Sequence, residues 1–163
     1  MEYQTLQHEF PPVWDGESEI LILGSFPSVK SRQVEFYYGN KQNRFWKTVC
    51  GYFGEEVPPT VDGKKEFLAR RRIALWDVAL ECEITGSRDD TIKNIKVADV
   101  KKLLQKSQIG FIIINGGKAF EIFERNFSDI GVHYEKLSST SPANTRFTTE
   151  EWYDALSRAF GRA

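Results

Sequence analysis

"GFIIIN" (residues 110–115) is the stretch on which the fold turns. Its centre is apolar throughout and largely β-branched, and it is bounded by glycines. Branched side chains pack well on a pleated surface, so this is the clearest strand in the chain. A strand with no polar face must be covered on both sides, which is how strands of a parallel sheet read. "EILILGS" (19–25) and "IALWDV" (73–78) have the same character, while "VHYEKL" (132–137) alternates like a fourth, more exposed strand. Helical spacing fills the intervals. Phe45, Trp46, Val49 and Phe53 recur on one face, with Gly54 as the stop. Lys64 to Arg72 reads as a basic helix burying Phe67 and Leu68. Val97, Val100, Leu103 and Leu104 mark a further helix, and "GGKAFEIFERNF" another that starts tightly at the end of the third strand. The last helix opens at Thr148 and Glu151, which have capping-box spacing, and lines Trp152, Leu156 and Phe160 on its inner face. "VPPTVDG" reads as a loop and residues 81–96 as irregular. The expected fold class is α/β: one domain over residues 1–163, three-layer α/β/α, with a central four-stranded parallel sheet and right-handed crossovers.

Composition excludes several classes of function. Hydrophobic and charged fractions of 40% and 28% are those of an ordinary globular protein. No apolar run approaches the roughly 18 residues of a membrane span, and the N-terminal stretch has neither signal-peptide nor transit-peptide character. Cytoplasmic residence is the default expectation. Cys50 and Cys82 show no ligand spacing, and His8 and His133 read as isolated, so neither a metal nor a cofactor is expected. Net charge is −1, yet "KSRQ", "KQNRFWK", "GKKEFLARRR" and "KNIK" concentrate cations while acids gather elsewhere. Those cations suit either a basic face or a solvated scatter.

In a parallel α/β fold, ligands bind beyond the carboxyl ends of the strands. Those ends are "GSFPS", "WDV", "NGG" and "SSTSPAN". None is a phosphate-binding P-loop or a nucleophile elbow, and no histidine–acid pair stands near them in the sequence. Gly24 would let a ligand approach the backbone, and Ser25 and Ser28 offer hydroxyls to phosphate. The serine-rich loop around Pro142 offers hydroxyls and backbone N–H groups without bulk, as a DNA contact requires. "YYGNKQNRFW" (37–46) sets amides between aromatic residues. The Asn43 carboxamide has one donor end and one acceptor end, matching the adjacent carbonyl and ring N–H of uracil or hypoxanthine. The Tyr38 ring could stack on such a base.

Taken in order and spacing, "LILGSFPS", "YYGNKQNRFWK", "LWDV", "IINGGKA" and "SSTSPAN" resemble the uracil-DNA glycosylase superfamily, and its hypoxanthine-DNA (deoxyinosine) glycosylase branch most closely. The likeness spans roughly Leu21 to Asn144. It implies a monomeric, metal-free enzyme that binds duplex DNA, flips out a deaminated base and hydrolyses its N-glycosidic bond. It implies a catalytic role for Asn43, and a base pocket formed by Tyr38, Phe26, Asp77 and Asn115. DNA contacts are expected at Gly24, Ser25, Ser28, Ser139, Thr140, Ser141 and Pro142. The sequence departs from the pattern in three places. Phe26 stands where many relatives have a water-positioning acid or amide, Ser138 where a proline is expected, and "GNKQN" where a His-Pro pair is more usual. The rival readings are a G·U or G·T mismatch glycosylase and a noncatalytic relative that binds lesion DNA.

Overall fold

In the computed structural model, which describes residues 3–8, 10–85 and 91–161, the three apolar runs lie side by side. β2 (Ile20–Gly24) sits between β3 (Ile73–Asp77) and β6 (Phe111–Asn115), and β7 (His133–Leu137) pairs with the far side of β6. All three pairings are parallel. Every residue of β2, β3 and β6 is buried, whereas β7 buries only Leu137. That contrast is why three of the runs lack a polar face and the fourth alternates. In register, Gly24 lies opposite Asp77 and Asn115 opposite Leu137, so the carboxyl ends of the strands finish nearly level.

Helices cover this sheet and complete the three-layer α/β/α arrangement. They are α1 (Val29–Val34), α2 (Phe45–Tyr52), α3 (Val61–Arg70), α4 (Val100–Gln105), α5 (Gly117–Phe127) and α6 (Thr149–Phe160). Phe45 of α2 meets Trp152 of α6 edge to face at 6.2 Å, and both side chains are fully buried. The run "VPPTVDG" is a loop only in its first half. Thr60 caps α3 by accepting from the Gly63 N–H, so that helix starts at Val61. Thr148 caps α6 as the spacing predicts, but Glu151 does not reach back to it. Its carboxylate instead accepts the Ser138 N–H at 2.7 Å, and the Trp152 indole donates to the Ser138 carbonyl. A proline at position 138 would have no N–H for that bond.

Residues 81–96, expected to be irregular, belong largely to a second sheet. β1 (Gln4–Gln7), β4 (Ala79–Ile84) and β5 (Lys93–Val97) pair antiparallel in the order β1-β4-β5; residues 86–90 lie outside the described residues. The sequence hides these strands because register shifts interrupt the β4–β5 ladder and β5 is mostly exposed. Val97 therefore ends β5 rather than opening α4. The small sheet is fastened to the large one at its carboxyl edge, where the Val78 and Ala79 N–H groups donate to the carbonyls of Gly24 and Ser25. Phe26, Ala79, Cys82, Ile84 and Ile92 form its own apolar cluster. Cys50 and Cys82 are buried free thiols, and burial pushes the Cys50 thiol up to about 11. No helix among the described residues is long and apolar enough to cross a membrane.

Candidate active site

The strand ends open into a cleft of about 780 Å³. Its walls are the turn after β2, the Tyr37–Asn43 segment, Asp77, Asn115 and the loop from Ser139 to Asn144. Every residue that the sequence placed in a site lines this one cleft: Asn43, Tyr38, Phe26, Asp77, Asn115, Gly24, Ser25, Ser28, Ser139, Thr140, Ser141 and Pro142. A smaller, more apolar cavity of about 300 Å³ lies near the start of β3, between the Phe10–Asp15 arm and Phe36, and contains none of them.

Asn43 is held by its own backbone. Its Oδ1 accepts the Phe45 N–H at 2.9 Å and its N–H donates to the Asn40 carbonyl. That first contact satisfies one of the unpaired amides at the start of α2 and leaves the NH₂ end with donors to spare. Tyr38 has a left-handed backbone, with φ of 55°, and its ring stacks on Phe45 at 4.1 Å. One ring face is thus backed by the core while the residue lines the cleft. Phe26 is buried and closes the cleft on the side of the small sheet.

Asp77 ends β3 directly beside Gly24. A Cβ on Gly24 would come within 2.5 Å of Asp77 Oδ1 and 3.2 Å of the Tyr38 hydroxyl, so only glycine fits there without displacing the carboxylate. The other carboxylate oxygen, Oδ2, lies 2.8 Å from His8 Nε2. This pairing corrects two expectations, that His8 is isolated and that no histidine–acid pair stands at the strand ends. His8 follows β1, and its N–H donates to the Leu80 carbonyl at 2.7 Å, so the second sheet carries it into place. Burial first, and then the negative charge of Asp77, push the neighbouring Tyr37 phenol far above the usual tyrosine range. It stays protonated and donates to the Pro11 carbonyl.

Several of the expected base-pocket and DNA-contact residues have structural duties. Asn115 donates to the Thr140 hydroxyl and to the Tyr38 hydroxyl, and accepts the Thr140 N–H. Thr140 is only 1% exposed and anchors the loop from beneath. Ser139 Oγ accepts the Ser141 N–H, and Ser28 caps α1 by accepting the Ser31 N–H. The exposed tip of the loop is Pro142 and Ala143. A second depression, of about 670 Å³, shares Asn43 with the cleft and is lined by Lys41, Arg44 and Lys47 with no carboxylate. Lys30 stands at the cleft itself, where buried Asp77 is the only acid among the lining residues. Among the described residues, no group of three or more His, Cys, Asp or Glu side chains is placed to hold a metal ion.

No family model matches the chain. Two curated relatives do, over nearly their full length. A hypoxanthine DNA glycosylase of Methanosarcina acetivorans is 37% identical over 154 residues, which are 90% of this chain and 96% of that protein. A hypoxanthine DNA glycosylase of Methanosarcina barkeri is 32% identical, covering 91% and 97%. The chain belongs to the hypoxanthine DNA glycosylase family. The fold agrees: the solution structure of a candidate uracil DNA glycosylase from M. acetivorans superposes with a TM-score of 0.81 at 35% identity, covering 93% of this chain and 96% of the other. Within this glycosylase, the residue missed from the sequence is His8. Its only local signal is a lone histidine ending a short alternating run, and its partner is 69 residues away.

Proposed function

We propose that this chain is a monofunctional DNA glycosylase that removes deaminated bases, hypoxanthine above all, from DNA and so opens base excision repair. The observation that carries this reading is the meeting of Asn43, Tyr38 and Asp77 in one cleft bordered by an acid-free basic groove. Cations supply the salt-dependent grip on phosphate, and the cleft takes the flipped base. Extrusion costs a few kcal/mol, least where pairing is already weak, as at inosine or uracil mismatches.

In the cleft the base stacks on Tyr38, whose far face rests on Phe45. As the N-glycosidic bond lengthens, its electron pair moves onto the base and positive charge grows on the sugar. Asn43 orients the attacking water and donates from its NH₂ end to the departing base, while backbone N–H groups of the turn after β2 face the growing negative charge. Water oxygen bonds to C1′, the C1′–N bond breaks, and the water proton ends on the base. No lysine is placed as a Schiff-base nucleophile in this scheme, so the product is an intact strand with an abasic site.

The test uses duplexes carrying deoxyinosine, deoxyuridine, deoxyxanthosine or a G·T mismatch. Strand scission at deoxyinosine after alkali, and none before it, is the expected result. Excision at G·T alone would make this a mismatch glycosylase. Tight lesion binding without alkali-labile sites would make it a noncatalytic reader.

A further inference from the structure

The His8–Asp77 pair is built more strictly than a structural ion pair requires. The His8 and Asp77 side chains are 1% and 6% exposed, yet Asp77 lines an open cleft and His8 stands directly behind it. The imidazole is enclosed by Phe10 at 4.6 Å, Tyr37 at 5.7 Å and Phe26 at 6.0 Å. Its Nδ1 is buried with no hydrogen-bond partner among the described residues. The neighbouring Tyr37 hydroxyl donates to the Pro11 carbonyl instead.

That orphan nitrogen decides which side of the ring donates. An N–H on Nδ1 would be buried and unpaired among aromatic rings, which is costlier than burying a bare lone pair. The arrangement that satisfies most groups puts the proton on Nε2, donated to Asp77 Oδ2. Asp77 is then a carboxylate with one oxygen fixed by His8 and the other, Oδ1, lying over Gly24 at the cleft. A fixed carboxylate can only accept. Hypoxanthine, uracil and xanthine offer it a ring N–H beside a carbonyl. Adenine presents a bare ring nitrogen at the corresponding position, and lone pair would face lone pair.

Resting on the function proposed above, we propose that His8 is a positioning residue for base selection: it holds Asp77 as an anionic acceptor, and that acceptor admits bases carrying a ring N–H next to a carbonyl. The discrimination between hypoxanthine and adenine is then divided between two residues. Asn43, whose carbonyl end is occupied by the helix, supplies the donor side, and Asp77 supplies the acceptor side. His8 touches no substrate atom and acts entirely through Asp77.

A double-mutant cycle tests this. His8→Phe keeps an aromatic ring but removes the donor, His8→Gln keeps a donor at similar reach, and Asp77→Ala removes what His8 positions. Single-turnover excision is measured on deoxyinosine and on N1-methyldeoxyinosine, each opposite an abasic-site analogue so that pairing plays no part. Unpairing a buried charged acceptor makes the expected loss for His8→Phe about 10- to 100-fold on deoxyinosine, with His8→Gln within about fivefold of wild type. In the Asp77→Ala background, His8→Phe should change the rate less than about twofold, because residues acting through one another are not additive. Wild type should reject the N1-methyl base, which has no N–H to give. Equal losses in both backgrounds, Gln failing as badly as Phe, or equal excision of the two bases would each overturn the proposal. If His8→Phe does not fold, the wild-type base preference and the His8→Gln rate still decide it. Affinity for duplex carrying uncleavable 2′-fluorodeoxyinosine is measured on the same variants. A protein that binds this lesion with the same coupling but excises nothing sinks the glycosylase reading and leaves the dyad standing.

Discussion

Asn115 and Thr140 hold one another through both ends of a single carboxamide: Nδ2 donates to Oγ1 and Oδ1 accepts the Thr140 N–H, each at 3.0 Å. The end of β6 is thereby bolted to the loop that follows β7, and the same Nδ2 reaches the Tyr38 hydroxyl. Thr140→Val keeps the shape and the backbone bond but leaves Asn115 one buried donor short. The expected cost is about 1–3 kcal/mol in chemical denaturation, with slower excision and unchanged affinity for undamaged duplex. A fall in that affinity matching the fall in rate would put Thr140 back on the DNA.

Asn43 separates a structural from a chemical duty. Asn43→Ala loses both the helix-start contact and the amide, so excision should vanish and stability fall by about 1 kcal/mol. Asn43→Asp keeps an oxygen for the Phe45 N–H but has no NH₂, so stability should be retained and excision still lost. Thermal melts and single-turnover rates on both variants check this. Both should bind duplex within a few-fold of wild type. An active Asp variant would show that the amide donors are not used.

Gly24→Ala is a small change with a large expected effect. The new methyl would meet Asp77 Oδ1 at 2.5 Å, and the carboxylate cannot swing away without leaving His8. Excision of deoxyinosine should fall by at least an order of magnitude, a barrier change of about 1.4 kcal/mol. Ser25→Ala, one residue on, should do much less. Comparable effects from the two would mean that the turn after β2 tolerates the methyl and that the Asp77 position matters little.

The loop tip tests base extrusion. With Thr140 an anchor, the part able to enter the duplex is the exposed Pro142–Ala143 corner. Glycine at 141–143 should cut excision most for inosine paired with cytosine, less for mismatched inosine and least for single-stranded inosine. Ser139→Ala, if Ser139 grips phosphate, should weaken all three alike. Equal losses across substrates for the glycine variant would make the corner a lid rather than a wedge.

The large sheet was legible because its strands are uninterrupted apolar runs, and burial on both faces leaves no other reading for a run such as Phe111–Asn115. The cleft was legible because most of its walls follow strand ends within a few residues, and the Tyr37–Asn43 segment stood out by its amides set between aromatic residues. The second sheet was not. β4 and β5 alternate weakly, and their pairing shows mainly in charge, with Glu81 opposite Lys96 and Glu83 opposite Lys93. "ECE" facing "KNIK" is the sequence signal that could have revealed the hairpin. The short alternating run that His8 ends does not reveal its role, which exists only once β1 and β3 have been brought together. The burial of Thr140 was hidden for a related reason: a threonine in a serine-rich loop looks like surface, and its anchoring depends on Asn115.

The seating of β1 also bears on what it means for this protein to be folded. Gln7 meets Glu81 across 74 residues of chain, and such a long closure is entropically slow to make and easy to open at an edge. The parallel sheet and its helices hold most of the core without that strand, so circular dichroism or a melting curve would register a chain with its arm undocked as native. Such a chain would lack His8 behind Asp77. Hydrogen exchange at the β1–β4 amides, rather than bulk stability, is therefore the measure of what fraction of a preparation is fit to act.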